Sequence, residues 1–367
     1  MSLFTWKLER ELNRIRQQLK GIPEFFTEPL LRRRHDAQRN AMLQAEHGQV
    51  APGPKVALLL VYQPKGISDA TVWTCQHLVN KGYAPLVISN APLSADDKSR
   101  LSPWIWRMAE RPNFGYDFGG YRDGIWLLSQ WKTNPDTLII LNDSIWFPLT
   151  ANETLIDRME ASDADFVGAL QLDPLRQTEN IPTKKRPFFG SFFLMVKRGA
   201  LQHAAFTGFW DRYRITSNKY KTIRRGERGF SHALMDAGIR SEAIYTRSAL
   251  DRHIESLSNQ ELKLFLGDLV SIDERIEMEI SDCIQHFSQT DEWRTLSRAV
   301  ALAATEKQNV LATAPITSLA VFGVPYLKKS RDWNNLKALK LIRERINQGR
   351  LPAPHASIID ALKQLPD

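Results

Sequence analysis

The residues best suited to chemistry are concentrated between Arg111 and Leu149, in RPNFGYDFGGYRDGIWLLSQWKTNPDTLIILNDSIWFPL. The run Thr137-Leu138-Ile139-Ile140-Leu141 is β-favouring, has no charged interruption, and stops at Asn142-Asp143-Ser144. That is the pattern of a strand covered on both faces. The carboxyl ends of strands in an open α/β sheet are where ligands bind. Just upstream, Gly115, Gly119 and Gly120 permit close backbone approach, with Asp117 and Asp123 among them. The glycines would serve a tight turn equally well, and Asp143 could simply cap the next segment. On successive βα units the two features together favour a nucleotide or sugar-phosphate site. Asn142, Asp143 and Ser144 would face the phosphates. Asn113 ends the preceding strand, and Asp117 can accept hydrogen bonds from a ribose or a base. Arg111 and Arg122 offer planar forks for phosphate, although Arg122 could equally pair with Asp123 or Asp117. A lone carboxylate at 142–144 is too little to hold a hard cation by itself.

The elements that must position these residues read as βα units. Residues 55–62 (KVALLLVY) form a first buried strand, and Ser68 caps a helix running to Val79 and ended by Gly82. A second strand, 84–89, leads into Asn90. A third ends at Arg111 and Asn113, followed by a helix over 120–130 and the fourth strand, 137–142. Short connections of this kind argue for a parallel sheet. Residues 165–170 read as another strand. The polar, proline-containing stretch 173–187 suits a lid over the site and an ordinary surface loop about equally. Residues 188–197 form a strand interrupted by Gly190-Ser191, 200–213 an aromatic-rich helix, and 226–237 a further helix opening at Gly226-Glu227. Residues 239–245 make an extended exit. Helical patterns over 259–307 and 333–348 form a C-terminal extension. At the other end, 4–20 is a basic amphipathic helix, suited to an anionic membrane surface or to docking on protein. Arg32-Arg33-Arg34-His35 suits a solvated face, and 49–54 reads as a linker. The expected division is therefore 1–50, a basic helical segment; 55–255, the α/β domain; and 256–367, the helical extension.

The whole-chain composition narrows the classes. With 367 residues, 43% apolar and 25% charged, the chain is an ordinary globular protein with ample core. Cys75 and Cys283 are the only cysteines and share no ligand spacing, so a disulfide framework is unexpected and a reducing, cytoplasmic setting is the natural one. No stretch has the length of a membrane-spanning helix, and an export signal is not legible at the start. No G-x-G-x-x-G follows the first strand and no Walker loop occurs, which removes the usual dinucleotide and ATPase readings. H-E-x-x-H, Cys-x-x-Cys and G-x-S-x-G are also missing. The net charge of +8 suits an anionic partner. Nucleic acid is suggested by charge and aromatics alone, and we expect none to bind.

The segment N-x-G-Y-D-F-G-G-Y-x-D-G over 113–124, with the strand ending Leu141-Asn142-Asp143-Ser144, resembles the rhamnan synthesis protein F family of bacterial glycosyltransferases. The likeness runs from about Val56 to Lys328 and includes Gly323-Val324-Pro325-Tyr326-Leu327-Lys328. It implies a GT-A-like, Rossmann-type mostly parallel sheet flanked by helices. It also implies inverting transfer of a deoxyhexose, rhamnose by family, from a donor such as dTDP-rhamnose to a lipid-linked, growing surface polysaccharide of rhamnan or O-antigen type. The protein would then sit peripherally on the inner face of the cytoplasmic membrane. By the same likeness Asp143 would anchor a divalent cation (Mg2+ or Mn2+) or the diphosphate itself. His253 would be a second metal ligand, and Glu227, at a helix start, the base that deprotonates the acceptor. Phe189 and Ser191 would line the acceptor, with core packing the simpler reading of the phenylalanine. The competing possibility is a non-catalytic, carbohydrate-binding or scaffold subunit that keeps the fold.

Overall fold

The computed structural model describes residues 27–173, 186–306 and 310–365. The amphipathic stretch 4–20 and nearly all of the proline-containing loop at 173–187 lie outside the described residues.

A mixed, mostly parallel sheet flanked by helices organises the chain. Its strands are β1 (Ala45–His47), β2 (Lys55–Val61), β3 (Ala84–Ser89), β4 (Arg107–Glu110), β5 (Thr137–Asn142), β7 (Phe166–Leu172), β8 (Phe188–Phe189), β9 (Phe193–Lys197) and β10 (Ser241–Tyr245). The order is β1-β4-β3-β2-β5-β9-β7-β10, with β8 beside β7. Strands β4, β3, β2 and β5 are mutually parallel. β9 is inserted antiparallel between β5 and β7, and β1 is an antiparallel edge. The chain leaves β2 towards β3 and β4, then returns to the opposite side of β2 as β5. The gap between the C-terminal ends of β2 and β5 is thus a point where strand order reverses, the usual crevice of an open α/β sheet.

The apolar runs explain the two-sided core. Alternate residues of β2 point to opposite faces: Ala57, Leu59 and Val61 join one cluster with Val87, Ile139 and Leu141. Val56, Leu58 and Leu60 join another with Leu86, Ile88, Leu138 and Ile140. Helix α1 (27–42) lies against the second layer, beneath the helices that follow the sheet. Ser68 caps α2 (Asp69–Asn80) through its hydroxyl to the Thr71 amide, as its sequence position predicts. α3 (Tyr116–Gln130) starts four residues earlier than the sequence suggests. α4 is one continuous helix in three parts: Lys219–Thr222, a π-helical turn Ile223–Arg228, and Gly229–Asp236. The expected linker 49–54 is instead tied down, with the Gln49 and Val50 amides donating to the Ser102 and Ile105 carbonyls.

The helices Arg247–Ser256, Asn259–Gly267, Glu274–Gln285 and Asp291–Glu306 share one core, including Leu250, Ile254, Leu262, Leu266, Trp293 and Ala301. The chain then turns back. Val324 and Tyr326 enter the main core, and β11 (Leu327–Lys328) pairs antiparallel with β6 (Ile145–Trp146), directly after Asp143. The C-terminal region therefore supplies a strand to the edge of the candidate site. No helix among the described residues is long and apolar enough to cross a membrane.

Candidate functional site

Asp143 sits at the tip of β5, in the crevice where strand order reverses. Its amide donates to the Leu60 carbonyl, and its Oδ2 accepts from the Tyr62 amide at 3.0 Å and from Gln63 Nε2 at 2.9 Å. Both donors follow β2, so the carboxylate ties the two strand ends together while staying half-buried. Asn142 is buried; its Nδ2 donates to Asp117 Oδ2 at 3.0 Å, and its Oδ1 accepts from the Ser144 amide. Ser144 is exposed.

Asp117 comes from the first turn of α3. That helix starts through Gly115 at φ +86° and Tyr116 at φ +50°. Two consecutive left-handed residues, the second bearing a side chain, are the kind of local strain that collects at functional positions. Burial, reinforced by the repulsion of Asp143 and Glu227, raises the Asp117 carboxyl to about 6, although Lys328 and Lys219 oppose the shift.

Glu227 lies within the π-helical turn of α4, not at a helix start as its surroundings in the sequence imply. π turns inside α-helices recur at functional sites because the extra residue bulges a side chain out of register. Gly226 makes this possible: a Cβ there would lie 2.5 Å from the Phe118 ring. Glu227 Oε1 accepts from both the amide (2.9 Å) and the hydroxyl (3.0 Å) of Ser191. Its other oxygen has no hydrogen-bond partner among the described residues.

Two lysines complete the group: Lys328, which ends the 323–328 stretch and is assigned no role from the sequence, and Lys329 beside it. Lys328, on β11, places its ammonium 3.6 Å over the Phe192 ring. Burial brings its pKa down to about 8, against the pull of Glu227 and Asp117. Lys329 donates its amide to the Ser144 carbonyl at 2.8 Å, and burial likewise lowers its ammonium, against the attraction of Asp143. A paired Lys-Lys ending an apolar segment was the available signal. Nothing local in the sequence reveals that β11 returns beside β6.

Several expected roles are corrected. Arg122 is not free for phosphate: its fork grips Asp36 of α1, with Nη1 to Oδ1 at 2.6 Å and Nη2 to Oδ2 at 3.0 Å. Arg111 is fully buried, donating to Asp123, Asn90 and the Phe114 carbonyl. His253 is not beside Asp143. It packs edge-on to Phe265 and Phe322 in the C-terminal helical core. The glycines do not floor a pocket. A Cβ on Gly120 would be 2.2 Å from Leu60 Cδ1, one on Gly124 2.3 Å from Leu58 Cδ1, and one on Gly119 2.3 Å from the Phe114 carbonyl oxygen. Gly120 and Gly124 let α3 press onto β2, and Gly119 lets the start of the helix close on the Phe114 carbonyl. Asn113 is exposed near the crevice and accepts from Asn90 Nδ2. Phe189 is core, packed on Phe166.

The donor set suits a divalent cation poorly. Asp143 already spends one oxygen on two neutral donors, His253 lies elsewhere, and no group of three or more His, Cys, Asp or Glu among the described residues could hold a metal. What the crevice does assemble is three carboxylates, each from a different element, with two lysines opposite them.

Comparison with known proteins gives three findings. A family model, rhamnan synthesis protein F, matches residues 86–284. The uncharacterized protein y4gN of Sinorhizobium fredii (strain NBRC 101917 / NGR234) is 32% identical over 225 residues, covering 61% of this chain. The match spans only 57% of that relative's own length. A mannosyltransferase from Pyrobaculum calidifontis, solved with GDP-Man and Mn2+, aligns over 90% of this chain and 98% of its own, at 12% identity and a TM-score of 0.28.

Proposed function

Because the chain belongs to the rhamnan synthesis protein F family, we propose that it is a glycosyltransferase of cell-surface polysaccharide assembly, and that the crevice at β2 and β5 is its transfer site. The observation that carries this reading is the convergence of Asp117, Asp143 and Glu227 with Lys328 and Lys329 at the C-terminal edge of the sheet. A site built for sugar transfer needs cationic groups where the leaving diphosphate gathers charge, and a carboxylate for the acceptor proton.

In this reading the donor is a nucleotide sugar, a deoxyhexose such as rhamnose by family, and the acceptor a lipid-linked oligosaccharide. The acceptor hydroxyl attacks the anomeric carbon as the bond to the diphosphate breaks, with inversion. Glu227 takes the proton on its unpaired oxygen while Ser191 fixes the other. Lys328 and Lys329 meet the negative charge on the leaving group, the part expected of a cation. Asp143 holds the ends of β2 and β5 in register, with its second oxygen turned to the donor. Asn113, Asn142 and Ser144 line the same edge and would contact the donor's nucleoside or phosphates.

The test is donor hydrolysis and thermal shift across a panel of nucleotide sugars, with and without manganese. A true donor raises the melting temperature with its concentration. Asp143→Ala should lower hydrolysis by roughly a hundredfold or more, and Glu227→Gln should lower transfer by about 10²–10⁴-fold while sparing donor binding. Activity in EDTA should stay within about tenfold of that with manganese if lysines supply the charge. A panel with no stabilising donor, in a protein that stays folded, would reject the transferase reading.

A further inference from the structure

A second cleft, of about 370 Å³, opens where α1, β1, β4 and the end of α3 meet. Small-ligand clefts run to about 300–1,000 Å³. Arg107, which lines it, opens β4, and β4 runs parallel to β5. The cleft therefore lies at the sheet edge away from Asp143. His47 of β1 stands in register with Arg107, and Asn40 and Gln44 come from α1 and the turn after it. Trp126, Gln130 and Trp131 come from the end of α3. Gly120 and Gly124 turn one face of that helix to β2, so Trp126 and Gln130, four residues apart, fall on its outer face.

The polar groups of this cleft are almost all uncommitted. The Arg107 guanidinium lies 4.0 Å over the Trp131 ring and 4.9 Å from that of Trp106. Stacking uses the faces of a guanidinium and leaves its in-plane N–H groups unspent. Among the described residues Arg107 makes no hydrogen bond or ion pair, and its Nε is buried without a partner. The indole N–H groups of Trp126 and Trp131 have no partner among the described residues either, and neither is sealed from water. The side-chain amides of Asn40 and Gln130 and the His47 ring, all exposed, are likewise free among the described residues. Gln44 spends only its Nε2, on the Asn40 carbonyl at 2.8 Å. No Asp or Glu lines the cleft.

The mix of groups selects the ligand. A simple anion needs donors only and would leave the amide carbonyls of Asn40, Gln44 and Gln130 with nothing to accept. A lipid tail needs an aliphatic face, and the leucines of the cleft, Leu43 and Leu127, are buried. A nucleobase is best held by open aromatic faces, but one face of each indole is already taken, by Arg107 on Trp131 and by Arg39 on Trp126 at 5.1 Å. A sugar ring matches the whole set. Its hydroxyls donate and accept at once, as amides, indole N–H groups and a guanidinium require, and its C–H face packs on indole. We propose that this cleft is a non-catalytic saccharide site that holds a stretch of the acceptor glycan away from its reacting end. From Asp117 to Gln130, α3 runs about 20 Å. A growing chain is long enough to span both ends, and holding it at one raises its effective concentration at the other. The cleft's part in transfer rests on the transferase reading; the binding does not.

The experiment is a saturation-transfer NMR titration of the full-length protein, without nucleotide sugar, against a rhamnose tetrasaccharide and maltotetraose, with AMP and inorganic phosphate as competitors. At least one of the two saccharides should bind in the millimolar range, and neither competitor should displace it at equal concentration. Trp131→Ala should weaken that binding by about thirtyfold, the loss of an aromatic anchor. Trp131 also packs on the second core layer, so a second variant leaves the packing alone. Gln44→Ala with Gln130→Ala, both at exposed positions, should weaken binding by about tenfold. In transfer assays the same pair should raise KM for the tetrasaccharide by about tenfold, with kcat, donor hydrolysis and KM for a single-sugar acceptor unchanged. Silence from both saccharides overturns the proposal, as does their displacement by AMP or phosphate. So does wild-type affinity in the glutamine pair, or binding lost in Glu227→Ala and kept in the pair, since the saccharide would then sit in the transfer site. A silent titration leaves donor hydrolysis, and with it the transferase reading, standing; a failed donor panel leaves the titration readable.

Discussion

Asp117 is the residue at which stability and chemistry pull apart most clearly. Its carboxyl stands at about 6, against an ordinary 3.8, because burial and the neighbouring Asp143 both disfavour its charge. The folded state therefore holds a proton there that the unfolded chain gives up between those two values. Ionised Asp117 costs stability above pH 6, and the cost disappears as pH falls through 6 towards 3.8. Asp117→Asn should raise stability by about 3 kcal/mol at pH 7.5, at 1.36 kcal/mol per pKa unit, and add nothing at pH 3.5. Its carbonyl oxygen can still accept from Asn142, so the fold keeps its contact. The same change should reduce donor hydrolysis, as is common where a strained site is relaxed. Melting curves at the two pH values decide it: no gain at pH 7.5 would mean the carboxyl is not perturbed. Lys328 stands at about 8 for the matching reason, burial against the pull of Glu227 and Asp117. If Asp117 must be ionised to accept hydrogen bonds from the donor's ribose or base, and Lys328 protonated to meet the leaving group, kcat/KM should follow a bell with limbs near 6 and 8. Lys328→Gln should remove the alkaline limb, and a profile flat across that window would take both groups out of the mechanism.

Among the elements, α3 depends on having no side chain at two positions. Gly120 and Gly124 sit four residues apart, so they share the face turned to β2, where Leu60 and Leu58 fill the space of the missing methyls. On propensity alone, Gly→Ala in a helix should gain about 0.8–1 kcal/mol. At 2.2–2.3 Å from leucine carbons the overpacking should win, leaving a net loss of roughly 1–3 kcal/mol. Gly120→Ala combined with Leu60→Ala should recover part of that loss, and simple additivity in chemical denaturation would show that the two groups do not meet. These contacts also explain what the sequence could and could not convey. The strands β2, β3 and β5 were readable because uninterrupted apolar runs have few alternatives, and Ser68 was readable as a cap because its chemistry is local. The glycines pointed to close approach, but spacing alone does not say whether a ligand or a strand does the approaching. Glu227 was singled out by position, yet the π-helical turn that presents it depends on Phe118 meeting Gly226, more than a hundred residues away in the chain. Arg122 and His253 had the right chemistry for a site. Their partners, Asp36 and the Phe265–Phe322 pair, come from distant elements, and no local pattern reveals them.

Across the whole molecule, a buried set of charges fastens α1 to the sheet and reaches the candidate site. Asp123 is fully buried and contacts Arg111 at 2.7 Å, Arg39 at 3.1 Å and His35 at 3.1 Å; Asp36 joins Arg122 and Arg39 at its edge. Despite its burial, Asp123 is held below the usual aspartate range by the His35 hydrogen bond and the two guanidiniums, and Asp36 stands at about 2. For such depressed carboxyls the stabilisation is complete above the unfolded pKa and is lost only as pH falls through the folded one. The contribution of these two carboxyls should therefore be constant from pH 5 to 8 and yield only in strong acid. A charge-removing substitution acts differently, because it strands partners that cannot reach water. Asp123→Asn leaves Arg111 buried without a counter-ion and Arg39 with Asp36 alone, and should cost about 3–5 kcal/mol. Asp36→Asn, at a half-exposed carboxyl, should cost markedly less. The effect should also travel, because Arg111 Nη2 holds the Phe114 carbonyl at 2.6 Å, and Phe114 precedes the left-handed pair that aims Asp117. Urea unfolding together with donor titration tests both parts. Asp123→Asn should lose stability and, at temperatures where it remains folded, bind donor more weakly, whereas Asp36→Asn should keep wild-type affinity. Equal, small losses in the two variants would mean the buried charges are spectators, and that α1 is held by its apolar contacts alone.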